Sequence, residues 1–212
     1  MLKRALTLLL TLVLAAALTP AVLAAEGPGL DEPQVFLKQT RSSGTCTLAS
    51  AAMMLRRTAL LSGDESWDQI TEASCRPVFW RGGLPYEFSY GEVTVGHAWL
   101  PGGQANRDVL AQVLEEHPEG VVLLSYSAHH GILLTDYTDG TFYCADPAPS
   151  VPAGRMPIDQ AWGTRVENSR AYWYVTSPIQ LPPPTLAETM ALPENPSDAI
   201  RSLSEHLGLA SV

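Results

Sequence analysis

Hydrophobic residues fall at two different periods along this chain, and the change from one to the other outlines the fold. From Cys46 to about Ala59, Leu48, Ala52, Leu55 and Ala59 recur at helical spacing, and alanines and methionines fill the other faces. A helix apolar nearly all round belongs inside a domain. Thr45 is placed to cap its start through the hydroxyl. Residues 66–103 are richer in Gly, Pro and aromatics, and read as irregular loops with one short strand. Asn106 then reads as an N-cap, and Val109, Leu110, Val113 and Leu114 give an amphipathic helix ending near Pro118 and Gly120.

Beyond Gly120 the pattern is that of strands. VVLLSY (Val121 to Tyr126), HGILLTDY (His130 to Tyr137), TFYCADP (Thr141 to Pro147) and AYWYV (Ala171 to Val175) are expected to form an antiparallel sheet. Ile158 to Trp162 suggests a short helix between the last two. Helices followed by strands indicate an α+β class: a buried N-terminal helix packed on an antiparallel β-sheet.

Residues 1–24 break this pattern. Lys3 and Arg4 precede a continuous apolar run, then Pro20, then small residues up to Ala24 and Ala25. This is the form of a secretory signal, so the expected location is secreted or extracytoplasmic, with no membrane span after cleavage. Residues 25–177 form the expected folded domain. Residues 178–212 read as a Pro-rich tail with a possible short helix from Ser197 to Leu207. Without Lys3 and Arg4 the chain holds 11 basic and 22 acidic residues. So acidic a chain argues against nucleic acid or anionic lipid as partner.

The candidate chemistry sits where the apolar helix begins. A thiol at a helix N-terminus lies in the partial positive charge of unpaired N–H groups, which lowers its pKa. Cys46 is therefore a candidate nucleophile, although a small core residue would also fit there. His130, opening a strand, is the candidate general base and acid. Asp146, ending the next strand, is a candidate to orient the imidazole. Gln39, seven residues before Cys46, is a candidate oxyanion donor beside the Cys46 N–H.

The turn between the two strands decides whether His130 and Asp146 meet. A regular two-residue turn at Asp139-Gly140 would pair Thr138 with Thr141 and set Asp146 against Leu133, on the face away from His130. A three-residue loop, Thr138-Asp139-Gly140, or an equivalent bulge would set Asp146 against Ile132, a same-face diagonal neighbour of His130. The odd-length arrangement is expected. His129 and His97 are the rival bases.

Cys75 and Cys144 could pair and leave Cys46 free, or all three thiols could be free. The cysteines and histidines contain no CxxC or HExxH spacing, and no Gly-rich stretch has the strand–helix setting of a phosphate loop, so no metal or cofactor is expected.

Gln39…Gly44-Thr45-Cys46-Thr47-Leu48-Ala49-Ser50, then His130 opening an apolar strand that ends at Tyr137, then Ala145-Asp146-Pro147, resembles the papain-like cysteine peptidases of the C39-like group. The resemblance spans roughly Val35 to Val175. Two departures stand out: Thr47-Leu48 where Gly-Pro usually follows the cysteine, and Asp136 where Gly is common. The resemblance implies a papain-like fold and a hydrolase of peptide or amide bonds. Cys46 would be the nucleophile, His130 the acid–base, Asp146 the orienter and Gln39 the oxyanion donor. It implies a peptide or protein substrate and no cofactor. Two alternatives use the same residues. One is an acyl transferase or transglutaminase-like enzyme in which an amine replaces water. The other is a catalytically silent binding module that recognises partners through the aromatic loops from Phe79 to Leu100.

Overall fold

The computed structural model describes residues 28–41, 44–78 and 83–177. The expected signal (1–24) and the tail (178–212) lie outside these residues. Seven strands form one antiparallel sheet: β1 (Phe88–Tyr90), β2 (Val93–Trp99), β3 (Val121–Ser125), β4 (His130–Thr138), β5 (Thr141–Ala145), β6 (Arg155–Pro157) and β7 (Ala171–Val175). Their spatial order is β1-β2-β7-β3-β4-β5-β6. The α+β class follows from this arrangement.

Helix α1 (Cys46–Leu61) covers one face of the sheet. Its Leu48, Ala52 and Leu55 share a core with Val122, Leu133, Ala145 and Trp173. Helix α2 (Glu72–Cys75) is a single turn beside it, closed by a reciprocal Thr71–Ser74 capping box. Helix α3 (Ala105–Glu116) covers the opposite face, where Leu110 and Leu114 meet Leu123, Ile132, Leu134, Phe142 and Cys144. The strand side chains alternate between these two cores, as the two-residue period requires. No described helix is long and apolar enough to cross a membrane.

Two arginines are buried in the last turns of the apolar helix, and both are fully engaged. Arg56 donates to the carbonyls of Ile70, Gln34 and Asp68. Arg57 donates to those of Glu119, Leu30 and Pro118, and pairs with Asp31. Their guanidinium groups satisfy loop carbonyls that are buried or half-buried. They tie the segments before and after α1 to its far end, leaving its N-terminus at the opposite side of the molecule for the site.

Three expectations need correction. Residues 66–103 contain two strands, not one: β1 and β2 form a hairpin. Asn106 does not cap α3 from outside. Gln104 holds the N-cap position, and Asn106, within the first turn, accepts from the Gly102 N–H and donates to the Val166 and Ser169 carbonyls. Ile158–Gln160 is a 3-10 turn preceded by the short strand β6. Of the two cysteine alternatives, the structure has the one without a disulfide: all three cysteines are free, and Cys75 and Cys144 lie in the cores on opposite sides of the sheet.

Candidate active site

The Thr45 hydroxyl does not cap α1 as expected; it is buried and without a partner. The sulfur of Cys46 instead accepts from the strand beside it: the N–H of Gly131 on β4 donates to Sγ at 3.3 Å. This close approach of helix to strand needs a glycine. A Cβ on Gly131 would sit 2.6 Å from Thr47 Cγ2 and 3.3 Å from its Cα.

His130 is the first residue of β4, immediately after the turn at residues 126–129, whose last residue, His129, is left-handed (φ 51°). His130 Nε2 and Asp146 Oδ1 lie 2.8 Å apart, in a buried contact. With Nε2 committed there, Nδ1 is the nitrogen left for the sulfur.

The register that brings them together is not the expected loop. Asp139 and Gly140 both have positive φ, 50° and 78°, and form a two-residue turn with Thr138 opposite Thr141. Both residues tolerate the left-handed region, and such turns match the twist of a hairpin. The odd residue is inserted further along. The pairing passes from Asp136↔Tyr143 to Leu134↔Cys144, leaving Thr135 as a bulge. Leu133 then opposes Ala145, and Asp146 follows at the level of Ile132. The expected bulge alternative therefore holds, and the carboxylate reaches the imidazole.

Asp146 is held by more than the ring. Oδ1 also accepts from the Ala148 N–H at 2.8 Å and Oδ2 from the Trp162 N–H at 2.7 Å. Burial by itself would raise the carboxyl, but the bonds from His130, Ala148 and Trp162 outweigh it and hold it below the ordinary carboxylate value. For His130, burial pulls down, yet Asp146 and Cys46 together push the imidazole up to about 9. For Cys46, burial pushes the thiol up. The His130 ring and the Gly131 and Thr47 amides more than reverse that, leaving it below its ordinary value. These directions favour a thiolate–imidazolium pair. The other thiols go the opposite way: burial pushes Cys75 up to about 11 and raises Cys144 further.

Gln39 lines the same cleft. Its N–H donates to the Pro147 carbonyl, and its side-chain Nε2 donates to the Arg41 carbonyl at 2.7 Å. Among the described residues the second N–H of that amide has no partner, and Oε1 is buried without one. The Gln39 loop is pinned on both sides. Thr40 donates through its N–H (2.6 Å) and hydroxyl (2.8 Å) to the buried Glu72, and Lys38 Nζ donates to the Asp146 carbonyl at 2.7 Å.

The cleft measures about 540 Å³ and is bordered by Gln39, Cys46, His129, His130, Pro149 and Trp162. Trp162 stands edge-on to the His130 ring at 5.1 Å and is 56% exposed. All four sequence candidates thus converge. Of the rivals, His129 borders the cleft, whereas His97 lies on β2 among the rings of Tyr86, Trp99 and Trp173, with its Nε2 buried and unpartnered. Gly131, Glu72 and Trp162 were not legible as site residues. Each acts through a contact between segments distant in sequence, and none carries a local motif. Among the described residues, no group of three or more His, Cys, Asp or Glu is placed to hold a metal ion. Compared with family models, with curated proteins and with solved structures, this chain has no match.

Proposed function

We propose that this protein is an exported, papain-like thiol hydrolase that cleaves peptide or amide bonds. The observation that carries the reading is the buried His130–Asp146 contact at 2.8 Å facing a thiol whose pKa is lowered. The Cys46 thiolate attacks the carbonyl carbon, forming a C–S bond and placing the π electrons on oxygen. The Cys46 N–H and the second side-chain N–H of Gln39 stabilise that oxyanion. His130 gives its proton to the departing nitrogen as the C–N bond breaks, leaving a thioester. The neutral ring then takes a proton from water as it attacks the thioester. The acid is released, and the thiolate and imidazolium are restored. Every atom in this cycle comes from substrate, water or the chain itself.

Asp146 keeps Nε2 protonated and turns Nδ1 towards sulfur, so both proton transfers use one ring nitrogen. The low exposure of Cys46, 9%, favours one rival: a binding module in which the thiol is packing. Alkylation separates the two. Iodoacetamide at pH 6–7 is expected to label Cys46 in the native protein and spare Cys75 and Cys144, and Cys46→Ala is expected to abolish hydrolysis of a peptide library. Native Cys46 that stays unlabelled, or a Cys46→Ala variant with full activity, overturns the proposal.

A further inference from the structure

The face of the sheet that carries α1 continues past the site as a row of exposed rings. Tyr86, Trp99 and Tyr126 are 64%, 57% and 45% exposed. They are linked through short ring-to-ring steps: Tyr86–His97 at 4.7 Å, His97–Trp99 at 4.6 Å and Trp99–Tyr126 at 6.2 Å. His97 and Trp99 alternate with Val95, and His97 packs on Trp173 at 4.9 Å; Val95 and Trp173 both belong to the core on the α1 side. Large rings left in water on a face that is otherwise covered mark a recognition surface.

The strand register ties this surface to the sulfur. Trp99 pairs with Ala171, Ala171 with Leu124, and Leu124 with Gly131, whose N–H holds Cys46 Sγ. Trp99 therefore stands at the same level as the sulfur, three strands away, about 14 Å at the usual strand spacing. Tyr126 connects the two regions, because it opens the turn whose Ala128 and His129 border the cleft. Asp146 and Trp162 lie on the other side of β4, towards β5. His130 leans that way, and the departing nitrogen must receive its proton. The acyl half of a substrate then extends over β3, β7 and β2. An extended chain advances about 3.3 Å per residue, so roughly four residues span the gap.

We propose that Trp99, flanked by Tyr86 and Tyr126, is a specificity platform for an aromatic or large apolar side chain about four residues before the scissile bond of a peptide substrate. This rests on the hydrolase reading of Cys46. The rings meet at 36° to 87° and so form an angular recess. Such a recess suits an inserted side chain better than the flat face of a sugar.

Two measurements test the platform. In the first, hexapeptide amides carrying Phe, Trp, Leu or Ala at the fourth position before the cleaved bond are compared as substrates. The aromatic members are expected to have kcat/KM about tenfold above the Ala member. Trp99→Ala is expected to bring that ratio close to one and Trp99→Phe to keep most of it, with Tyr137→Ala, an exposed ring elsewhere, as control. In the second, the same peptides are titrated into Cys46→Ala and Cys46→Ala/Trp99→Ala, following tryptophan fluorescence. Aromatic peptides are expected to bind the first more tightly than the second. Peptides cleaved without discrimination at that position, or a ratio unchanged by Trp99→Ala, overturn the platform and leave the hydrolase intact. Trp99-dependent binding with no cleavage by any variant overturns the hydrolase and keeps the surface as a peptide site. Trp99-dependent binding of a chitin hexasaccharide with no peptide binding overturns the platform in favour of a glycan surface.

Discussion

Asp146 carries two duties that substitution can separate. Its Oδ1 serves His130 and Ala148, while Oδ2 serves Trp162. Asp146→Ala removes all three bonds and strands the buried Ala148 N–H and the half-buried Trp162 N–H, at a cost of about 1–3 kcal/mol in stability. It is expected to lower kcat/KM about 10²-fold, because the ring loses its orientation and His130 loses the carboxylate that helps lift its pKa to about 9. Asp146→Asn can keep an oxygen towards Nε2 but turns an NH₂ against the Trp162 N–H, so the smaller loss is expected from it. The pH profile separates these effects. Activity falls as pH rises through the His130 pKa, since the imidazolium must donate to the departing nitrogen. Wild type is therefore expected to lose activity near pH 9, and both variants at lower pH, because the anionic carboxylate is gone. Rate profiles from pH 5 to 10 check this.

The contact that makes the site possible is that of α1 with β4, and it closes at Gly131. Gly131→Ala places a methyl 2.6 Å from Thr47 Cγ2. It is expected to push the helix start off the strand, cost about 1–3 kcal/mol, and lengthen or break the Gly131 N–H bond to sulfur. Thermal unfolding reads the first effect, and a slower alkylation of Cys46 at pH 6 reads the second. Helix α1 itself was legible because its apolar residues leave no alternative to burial. β3, β4, β5 and β7 were legible from their apolar runs. The β1–β2 hairpin was not, because the residues that would mark its alternation, His97 and Trp99, are partly or largely exposed aromatics beyond the part of that face that α1 covers. The parity of the β4–β5 pairing could be derived from the need to bring His130 to Asp146. Its means could not: Asp139 and Gly140 accept the same left-handed angles as a two-residue turn, and nothing at Thr135 advertises the extra residue. Thr45 shows the same limit from the other side. Its hydroxyl suited a cap, but it is buried without a partner and makes no bond to the helix start.

Taken as a whole, the molecule assembles its site from opposite ends of the folded chain. Gln39 and Cys46 arrive from one segment and His130 and Asp146 from another; the Gly131 amide that meets the sulfur lies 85 residues along the chain from it. No local piece of structure holds both halves. The groups that lower the Cys46 pKa are thus supplied by the finished fold, and an unfolded chain returns the thiol to its ordinary range. Denaturation in urea at pH 6 is expected to slow carbamidomethylation of Cys46, although it becomes more accessible, and to speed that of Cys75 and Cys144, which lose only their shelter. Mass spectrometry of the three sites along a urea titration checks the opposed signs. A thiol that reacts fastest when hidden makes this sulfur a built-in reporter of foldedness: the chain arms its own reagent only once the two distant segments have met.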